Sequence, residues 1–335
     1  MLSAYGGPCL TQSDIIVPDS DAKPITLGLL LIDGFALMSY AAVIEPYRAA
    51  NVLAGRALYR WVHISIDGAP VRASNGATIL ADGKVGAPID CATLFVFAAG
   101  DPAGFADAAT FAWLRRLATG QVTLAGVSGA PYLMARAGLL DGYRATIHWD
   151  HRPGFIEAFP MVTVDTGLYV IDRRRVTCAG GSAGLDLAVD LIERDQGHAL
   201  ANRVSEWFIR TEQRSADRPQ RLSLRDRYAI TDDRLLKVLA QMERAVEEPL
   251  ARSDLALCVG LSVRQLERLF VQRLGRTIDQ LYLGIRLDQA RVLLTRTGLS
   301  VTAIALACGF RSSSSFSRSF AAQIGVSPTR YRAGL

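Results

Sequence analysis

The 335-residue sequence lacks several features that would point to other classes of protein. Its five cysteines, at positions 9, 91, 178, 258 and 308, are scattered and odd in number, without the spacing of a metal site or a disulfide framework. No apolar run is long enough to span a bilayer, and the N-terminus carries no basic, apolar signal peptide. We therefore expect a cytoplasmic protein with reduced thiols, no membrane segment, no metal and no cofactor.

Acidic residues are missing from the end of the chain. No aspartate or glutamate follows Asp288, whereas six arginines do. Residues 214–335 carry 20 basic and 11 acidic side chains, and residues 1–213 carry 17 and 21. This segregated positive charge predicts that a polyanion binds the C-terminal part. A basic face that serves only solubility is the simpler alternative.

The pattern around Gly309 predicts two helices joined by a sharp turn. Ile304 and Ala305 belong to an apolar face at helical spacing, and Phe316 and Phe320 give the following helix a core face. The other side of that helix and its start carry arginines and short polar residues: Arg311, Ser313, Ser314, Ser317 and Arg318. This layout is typical of a helix-turn-helix, whose second helix enters the major groove of DNA. An ordinary pair of core helices is the alternative.

A similar pattern lies upstream, over residues 255–273. There Arg264, Glu267 and Arg268 project away from the core face. A helix predicted over residues 278–297 separates the two motifs by roughly 30 Å, which is close to one turn of DNA. Arginines can contact guanine or clamp phosphates, and Arg311 and Arg330 are the candidates for phosphate. Glu267 could accept a hydrogen bond from cytosine or pair with a neighbouring arginine.

Strands and helices alternate in the N-terminal half. Strands are predicted over residues 25–32, 59–66, 93–98 and 122–127, and helices over 41–53, 105–119 and from 132 onward. A strand pair over 163–172 and 175–179 and helices over 182–194 and 197–209 follow. This alternation predicts an α/β fold, a flavodoxin-like doubly wound parallel sheet.

Four segments follow from these patterns. Residues 1–23 form a flexible tail, 24–209 the α/β domain, 210–231 a polar linker, and 232–335 an all-α domain with two helix-turn-helix motifs. We expect the linker arginines to be solvated.

Ser128 lies at a tight turn between a strand and a helix, which is the context of a nucleophile elbow. A serine nucleophile also needs a base nearby, and the sequence places none of the four histidines there. Ligands of such folds bind beyond the carboxyl ends of the strands, where we place Phe35, Glu45, Ser128, Tyr132 and Trp149. The helix start offers N–H groups to an anion, and Tyr132 and Trp149 could face a cationic amine. Core packing is the alternative for each aromatic side chain.

The second motif resembles that of the AraC family of regulators. The matching residues are Ile304, Ala305, Gly309, Phe310, Ser312, Phe316, Arg318, Phe320, Gly325, Ser327, Pro328, Tyr331 and Arg332. The segment from Leu124 to His151 resembles the ThiJ/PfpI branch of the class I glutamine amidotransferase-like fold. Its matches are Leu133, Ala135, residues 137–142 and 145–149, and further on residues 167–169 and 177–187. Together these features resemble the GlxA-type subgroup of AraC regulators.

The resemblance also bears on catalysis, because this sequence departs from the enzymes of the family at the elbow. Enzymes of the ThiJ/PfpI branch use a cysteine at the elbow, usually followed by histidine, with a helix glutamate nearby. Here Ser128, Gly129 and Glu45 match those positions, which implies that the catalysis is lost and the pocket is kept. Arg264, Glu267 and Arg268 match positions that reach the major groove in the family.

We therefore expect a homodimeric, ligand-responsive transcriptional activator that binds a double-stranded DNA operator and acts with RNA polymerase. Its effector is expected to be a small amine or amino-acid-like metabolite, because residues 221–227 resemble regulators of choline, glycine betaine or carnitine breakdown. Two alternatives remain open: an active hydrolase or amidase fused to DNA-binding helices, and a non-specific DNA-binding protein.

Overall fold

A seven-stranded sheet forms the centre of the N-terminal half. A computed structural model describes residues 23–334, so the predicted tail lies outside the described residues apart from Lys23. The strands are β1 (Ile25–Leu31), β2 (Tyr59–Ser65), β3 (Val71–Arg72), β4 (Thr78–Ile79), β5 (Gly83–Lys84), β6 (Thr93–Ala98), β7 (Thr123–Ser128), β8 (Arg144–Ala145), β9 (Thr163–Val164), β10 (Tyr169–Asp172) and β11 (Arg175–Cys178). The order in the sheet is β10-β11-β7-β6-β1-β2-β5. Among the described residues of this sheet, only the β10–β11 pair is antiparallel.

Helices cover both faces of this sheet. They are α1 (Leu37–Ala54), α2 (Ala108–Ala118), α3 (Ala130–Arg136), α4 (Arg152–Ala158), α5 (Ala183–Gln196) and α6 (His198–Trp207). The core on one face joins α1, α5 and α6 to the sheet, and the core on the other joins α2, α3 and α4. β1 is buried almost throughout because both faces are covered, as its continuous apolar sequence predicts. The doubly wound architecture is thus confirmed.

Several boundaries in this half differ from the sequence-based prediction, and two of them change the number or the division of elements. The strand predicted over 163–172 is two strands, because Asp165 accepts a hydrogen bond from the Gly167 N–H at 3.0 Å and turns the chain between β9 and β10. The segment from residue 197, predicted to continue as helix, forms a separate helix, α6. Gly197 has φ of +86° and separates α5 from α6.

The C-terminal half is helical. It contains α7 (Leu224–Tyr228), α8 (Asp233–Arg244), α9 (Arg252–Leu257), α10 (Val263–Leu274), α11 (Ile278–Arg296), α12 (Val301–Ala307), α13 (Ser313–Ile324) and α14 (Pro328–Arg332). The first motif, α9 and α10, shares one core with α8 and the start of α11. The second motif, α12 and α13, shares another core with the rest of α11. With 19 residues, α11 is about 28 Å long and connects both motifs.

Within residues 23–334, no helix is both long enough and apolar enough to cross a membrane. No group of three or more histidine, cysteine or carboxylate side chains in that range is arranged to hold a metal ion.

Candidate nucleic-acid interface and elbow site

The recognition surface of the first motif lies on α10. Ser262 caps this helix in a capping box, which fixes where its first turn begins. Leu266 and Phe270 are fully buried, whereas Arg264 and Arg268 on the other side are exposed. Neither guanidinium has a hydrogen-bond or carboxylate partner in the part of the chain that the structure describes. Both arginines are therefore available to acceptors outside the protein.

Glu267 differs from these two arginines. One carboxylate oxygen accepts a hydrogen bond from Arg252 at 3.3 Å, and the other accepts from the backbone N–H of Ile278 at 3.4 Å. Both oxygens thus serve contacts that join α10 to α9 and to the start of α11. The ion pair is the alternative that the structure favours, and a cytosine contact would require Glu267 to leave these partners.

The second motif presents shorter side chains on α13. Its core side is as predicted, since Phe316 and Phe320 are fully buried. On the other side Arg311, Ser314 and Arg318 are exposed and Ser313 and Ser317 are half-buried, and Arg330 is exposed on α14. The Ser314 hydroxyl lies 3.2 Å from the hydroxyl of the capping residue Ser312. The three arginines are the long side chains of this surface.

Arg286 on α11 holds the turn of the second motif, a role that sequence reasoning missed. Its guanidinium donates to the backbone carbonyl oxygens of Cys308 and Gly309, both at 2.8 Å, and lies 4.1 Å from the centre of the Phe310 ring. Burial lowers the pKa of this guanidinium from its usual value. The helix between the motifs therefore also clamps one of their turns. Arg286 and Gly309 are 23 positions apart in the sequence, so no local pattern predicts this contact.

The elbow at Ser128 has the predicted strand–turn–helix geometry. Ser128 has φ of +64°, which is uncommon for a residue other than glycine, and it is 7% exposed. The Gly129 N–H donates to the Ala98 carbonyl oxygen at 2.8 Å, and the His148 N–H donates to the Ser128 carbonyl oxygen at 3.3 Å. The Ser128 hydroxyl makes no hydrogen bond with any of the described residues. The turn is closely packed, because a Cβ at Gly180 would lie 2.6 Å from the Ser128 Cβ.

Ser39, and not Glu45, is the α1 side chain that reaches the elbow. A Cβ at Gly180 would lie 2.8 Å from the Ser39 hydroxyl oxygen, which also accepts a hydrogen bond from the Gly181 N–H at 2.8 Å. Glu45 follows six residues later, about 240° around the helix axis. It pairs with Arg48 at 2.6 Å and its side chain is 41% exposed. The match of Glu45 to the helix glutamate is therefore corrected.

The structure does not gather the predicted ligand residues in one pocket. Phe35 is fully buried in the core, and Tyr132 packs against Phe155 and Phe159, with ring centres 6.0 and 4.9 Å away. Trp149 lies elsewhere, facing the helical domain, with the Arg221 guanidinium 4.8 Å from its ring centre. Phe35 and Tyr132 therefore pack against other side chains, which was the alternative to ligand binding. The cation over the Trp149 ring is an arginine of the same chain.

Residues 210–221, here named the strap, are bound to the α/β domain at their beginning. The Asp186 side chain has no exposed surface and accepts hydrogen bonds from the guanidinium groups of both Arg210 and Arg214. Arg214 reaches Asp186 at 2.6 Å and also donates to the Ser182 hydroxyl at 2.9 Å. The expectation that these two arginines are solvated is wrong, because a buried carboxylate needs positive partners.

The strap is also bound at its end. The Gln220 amide nitrogen lies 3.0 Å from the Thr146 hydroxyl, 3.0 Å from the Ile147 carbonyl oxygen and 2.8 Å from the Gly167 carbonyl oxygen. Midway, the Ala216 carbonyl oxygen accepts from a backbone N–H of the α/β domain at 2.7 Å. The strap, which the sequence predicts as part of a linker, is thus docked along the α/β domain.

One residue on each side of the strap has an unusual backbone conformation. Ile209 precedes it with φ of +57° and a side chain that is 91% exposed, and Ala229, at the end of α7, has φ of +51°. Positive φ is a strained conformation for a β-branched residue. They are two of the four residues other than glycine with positive φ among the described residues.

Comparison with known proteins identifies the family to which the chain belongs. A model described as the DJ-1/PfpI family matches residues 30–194, and one described as a helix-turn-helix domain matches residues 255–334. The chain belongs to the family of HTH-type transcriptional regulators that combine these two domains.

Individual relatives are similar over most of the chain. The chain is 43% identical over 306 residues to the HTH-type transcriptional regulator CdhR of Pseudomonas aeruginosa, covering 91% of each chain. It is 39% identical over 315 residues to the regulator GlxA of Rhizobium meliloti, covering 93% of this chain and 97% of that one. A ThiJ/PfpI family protein from Pseudomonas syringae shares the fold, with 20% identity, a TM-score of 0.52, and 72% and 93% of the two chains covered.

Proposed function

We propose that the protein is a ligand-responsive transcriptional regulator, an activator of a catabolic operon, whose α/β domain senses a small amine or amino-acid-like metabolite without catalysis. The family supports the regulatory role. The exposed arginines of α10 and α13, two helices whose motifs are connected by α11, are the observation that carries sequence-specific DNA binding. On this proposal the protein acts in the cytoplasm, as a homodimer with RNA polymerase.

Base contacts are assigned to Arg264, Arg268 and Arg318, because they lie on α10 and α13 and their guanidinium groups are exposed and unpaired within the described residues. Arg311 and Arg330 are assigned to phosphates, and the serines of α13 to weaker contacts. Since Glu267 is occupied by Arg252, the first motif reads sequence mainly through its two arginines. Its contribution should therefore favour guanine.

Replacing Arg268 or Arg318 by alanine should weaken binding to the specific operator by about 1–3 kcal/mol and relax selectivity at one base position. The operator is first selected from a random pool of DNA duplexes with the full-length protein, and affinities are then measured at a fixed salt concentration. Arg330→Ala should instead weaken binding to all duplexes alike and reduce the salt dependence. Arg115→Ala, an exposed arginine on α2, is the control. Selection of no sequence by the wild-type protein would favour the non-specific alternative.

A path of hydrogen bonds supports coupling between the elbow and the strap. Ser39 accepts from Gly181, the next residue Ser182 accepts from Arg214, and Arg214 shares the buried Asp186 with Arg210. A ligand that displaces Ser39 or the loop at Gly181 would therefore change the contacts that dock the strap. The strap leads directly into the helical domain, which makes it the route we assign to the signal.

Replacing Arg214 by glutamine should uncouple ligand binding from the DNA response. A thermal-shift screen of glycine betaine, carnitine, choline and amino acids first identifies a stabilising compound. In the variant that compound should still raise the melting temperature but should no longer change operator affinity. Arg218→Gln is the matched control, since Arg218 lies in the same strap but pairs only with the exposed Glu212. An unaltered ligand response in Arg214→Gln would rule out this route.

A further inference from the structure

A cleft of about 740 Å³ lies between the α/β domain and the helical domain. Trp149 and Arg152 line it from the α/β domain, Arg221 from the strap, and Arg291 and Tyr331 from α11 and α14. Its volume falls in the range of small-molecule sites, and its lining combines aromatic rings with charged groups. It is separate from the elbow, since Ser128 does not line it.

Some of the arginines that line the cleft have a carboxylate partner and others do not. Glu243 accepts two hydrogen bonds from Arg227, both at 2.8 Å, and Asp288 lies 3.5 Å from Arg291. Three carboxylates line the cleft, those of Glu243, Asp288 and Asp150, and none of them is free. Four arginines line the same space. The lining therefore has an excess of positive charge.

Arg152 and Arg221 are the arginines without a carboxylate partner among the described residues. Burial, together with the positive charge of Arg221, lowers the pKa of the Arg152 guanidinium. The Arg221 guanidinium lies over the Trp149 ring, and both side chains line the cleft. The half-buried Arg152 and the exposed Arg221 favour an anion between them, because each guanidinium carries donors with no carboxylate acceptor in the described chain.

We propose that this cleft binds a small anion, a metabolite carrying carboxylate or phosphate groups, between Arg152 and Arg221. Arg152 belongs to α4 of the α/β domain and Arg221 to the strap, and the opposite wall is α11 between the two DNA-binding motifs. A bound anion would thus fasten the strap to the α/β domain beside the helical domain. This site responds to a different chemical class from the amine proposed for the α/β domain.

Carboxylate and phosphate groups are the shared chemistry, and a phosphate of the DNA backbone is a second source of it. The test therefore uses citrate and inorganic pyrophosphate, each titrated at constant ionic strength into the full-length protein without DNA. Melting temperature and calorimetric binding are recorded for the wild type and for Arg152→Gln and Arg221→Gln. Arg115→Gln on α2 is the control for loss of an exposed positive charge.

At least one probe should bind the wild type and the Arg115→Gln variant and raise their melting temperatures. Arg152→Gln and Arg221→Gln should each weaken that binding by about tenfold or more, the loss expected for a charge-assisted hydrogen bond. Arg221→Lys, which keeps the charge, should bind the probe better than Arg221→Gln and guards against a folding defect in the latter.

Three results would overturn the proposal. The first is no binding of either probe to the wild type. The second is equal binding by all variants, which would indicate an unspecific salt effect. The third is weakened DNA binding by Arg152→Gln and Arg221→Gln with no effect on either probe, which would assign these arginines to the DNA backbone. Operator selection by the wild type is independent of all three, so failure here leaves the proposed function standing.

Discussion

Replacing Gly309 by alanine is expected to destabilise the helical domain by about 2–5 kcal/mol and to abolish operator binding by the second motif. Gly309 has φ of +73°, and a Cβ there would lie 2.6 Å from the Pro249 ring carbons and from the Val246 carbonyl oxygen. Two costs therefore combine. Alanine is strained at this φ, and the segment between α8 and α9 must move away.

The equivalent turn of the first motif provides a matched control. Gly260 has φ of +66°, but a Cβ there would meet no atom within 4 Å. Gly260→Ala should therefore cost only the backbone strain, about 1–2 kcal/mol. Urea unfolding of both full-length variants, followed by circular dichroism, measures the difference. Equal losses of stability would show that the turn at Gly309 can relax away from Pro249.

Replacing Asp186 by asparagine is expected to destabilise the α/β domain by about 3–5 kcal/mol, because it leaves two arginines without their buried counter-charge. Asp186 has no exposed side-chain surface, and its oxygens accept from Arg210 and Arg214. The strap should then detach at its beginning. Urea unfolding measures the loss of stability, and trypsin cleavage within residues 210–221 measures detachment.

The control for this change lies in the strap itself. Glu212 pairs with Arg218 at 3.1 Å, and its side chain is 75% exposed, so Glu212→Gln should change stability by at most about 0.5 kcal/mol. Adding Arg210→Gln to Asp186→Asn should recover part of the loss, since one uncompensated charge is removed. A loss below 1 kcal/mol for Asp186→Asn alone would contradict the structural role assigned to this carboxylate.

The elements with a strong local pattern were predictable from the sequence. Phe316 and Phe320, four residues apart, defined the buried side of α13, and the continuous apolar run of β1 defined a central strand. The start of α1 was predicted four residues late, because Ala36 before it offers no side-chain cap as a signal. Local periodicity therefore gave the architecture and missed an uncapped helix start.

The contacts that build the sites were less predictable. Asp186 and Arg214 are 28 residues apart, and a charged, proline-bearing segment has the same composition whether it is solvated or docked. Glu45 was assigned by resemblance, and only the phase of α1 shows that Ser39 takes that place. Trp149 was expected beside Tyr132, but a ring's sequence neighbours do not determine which domain it faces. Long-range charge pairing and side-chain direction require the folded chain.

The docked strap also limits the distance between the α/β domain and the helical domain. Bound along the α/β domain from Arg210 to Gln220, it restricts how far the helical domain can move away. A free chain of twelve residues would instead let the helical domain wander over a root-mean-square distance of about 20 Å. In the homodimer that we propose, release would thus exchange one permitted spacing of DNA half-sites for many, and docking would select operators by their geometry as well as by their bases.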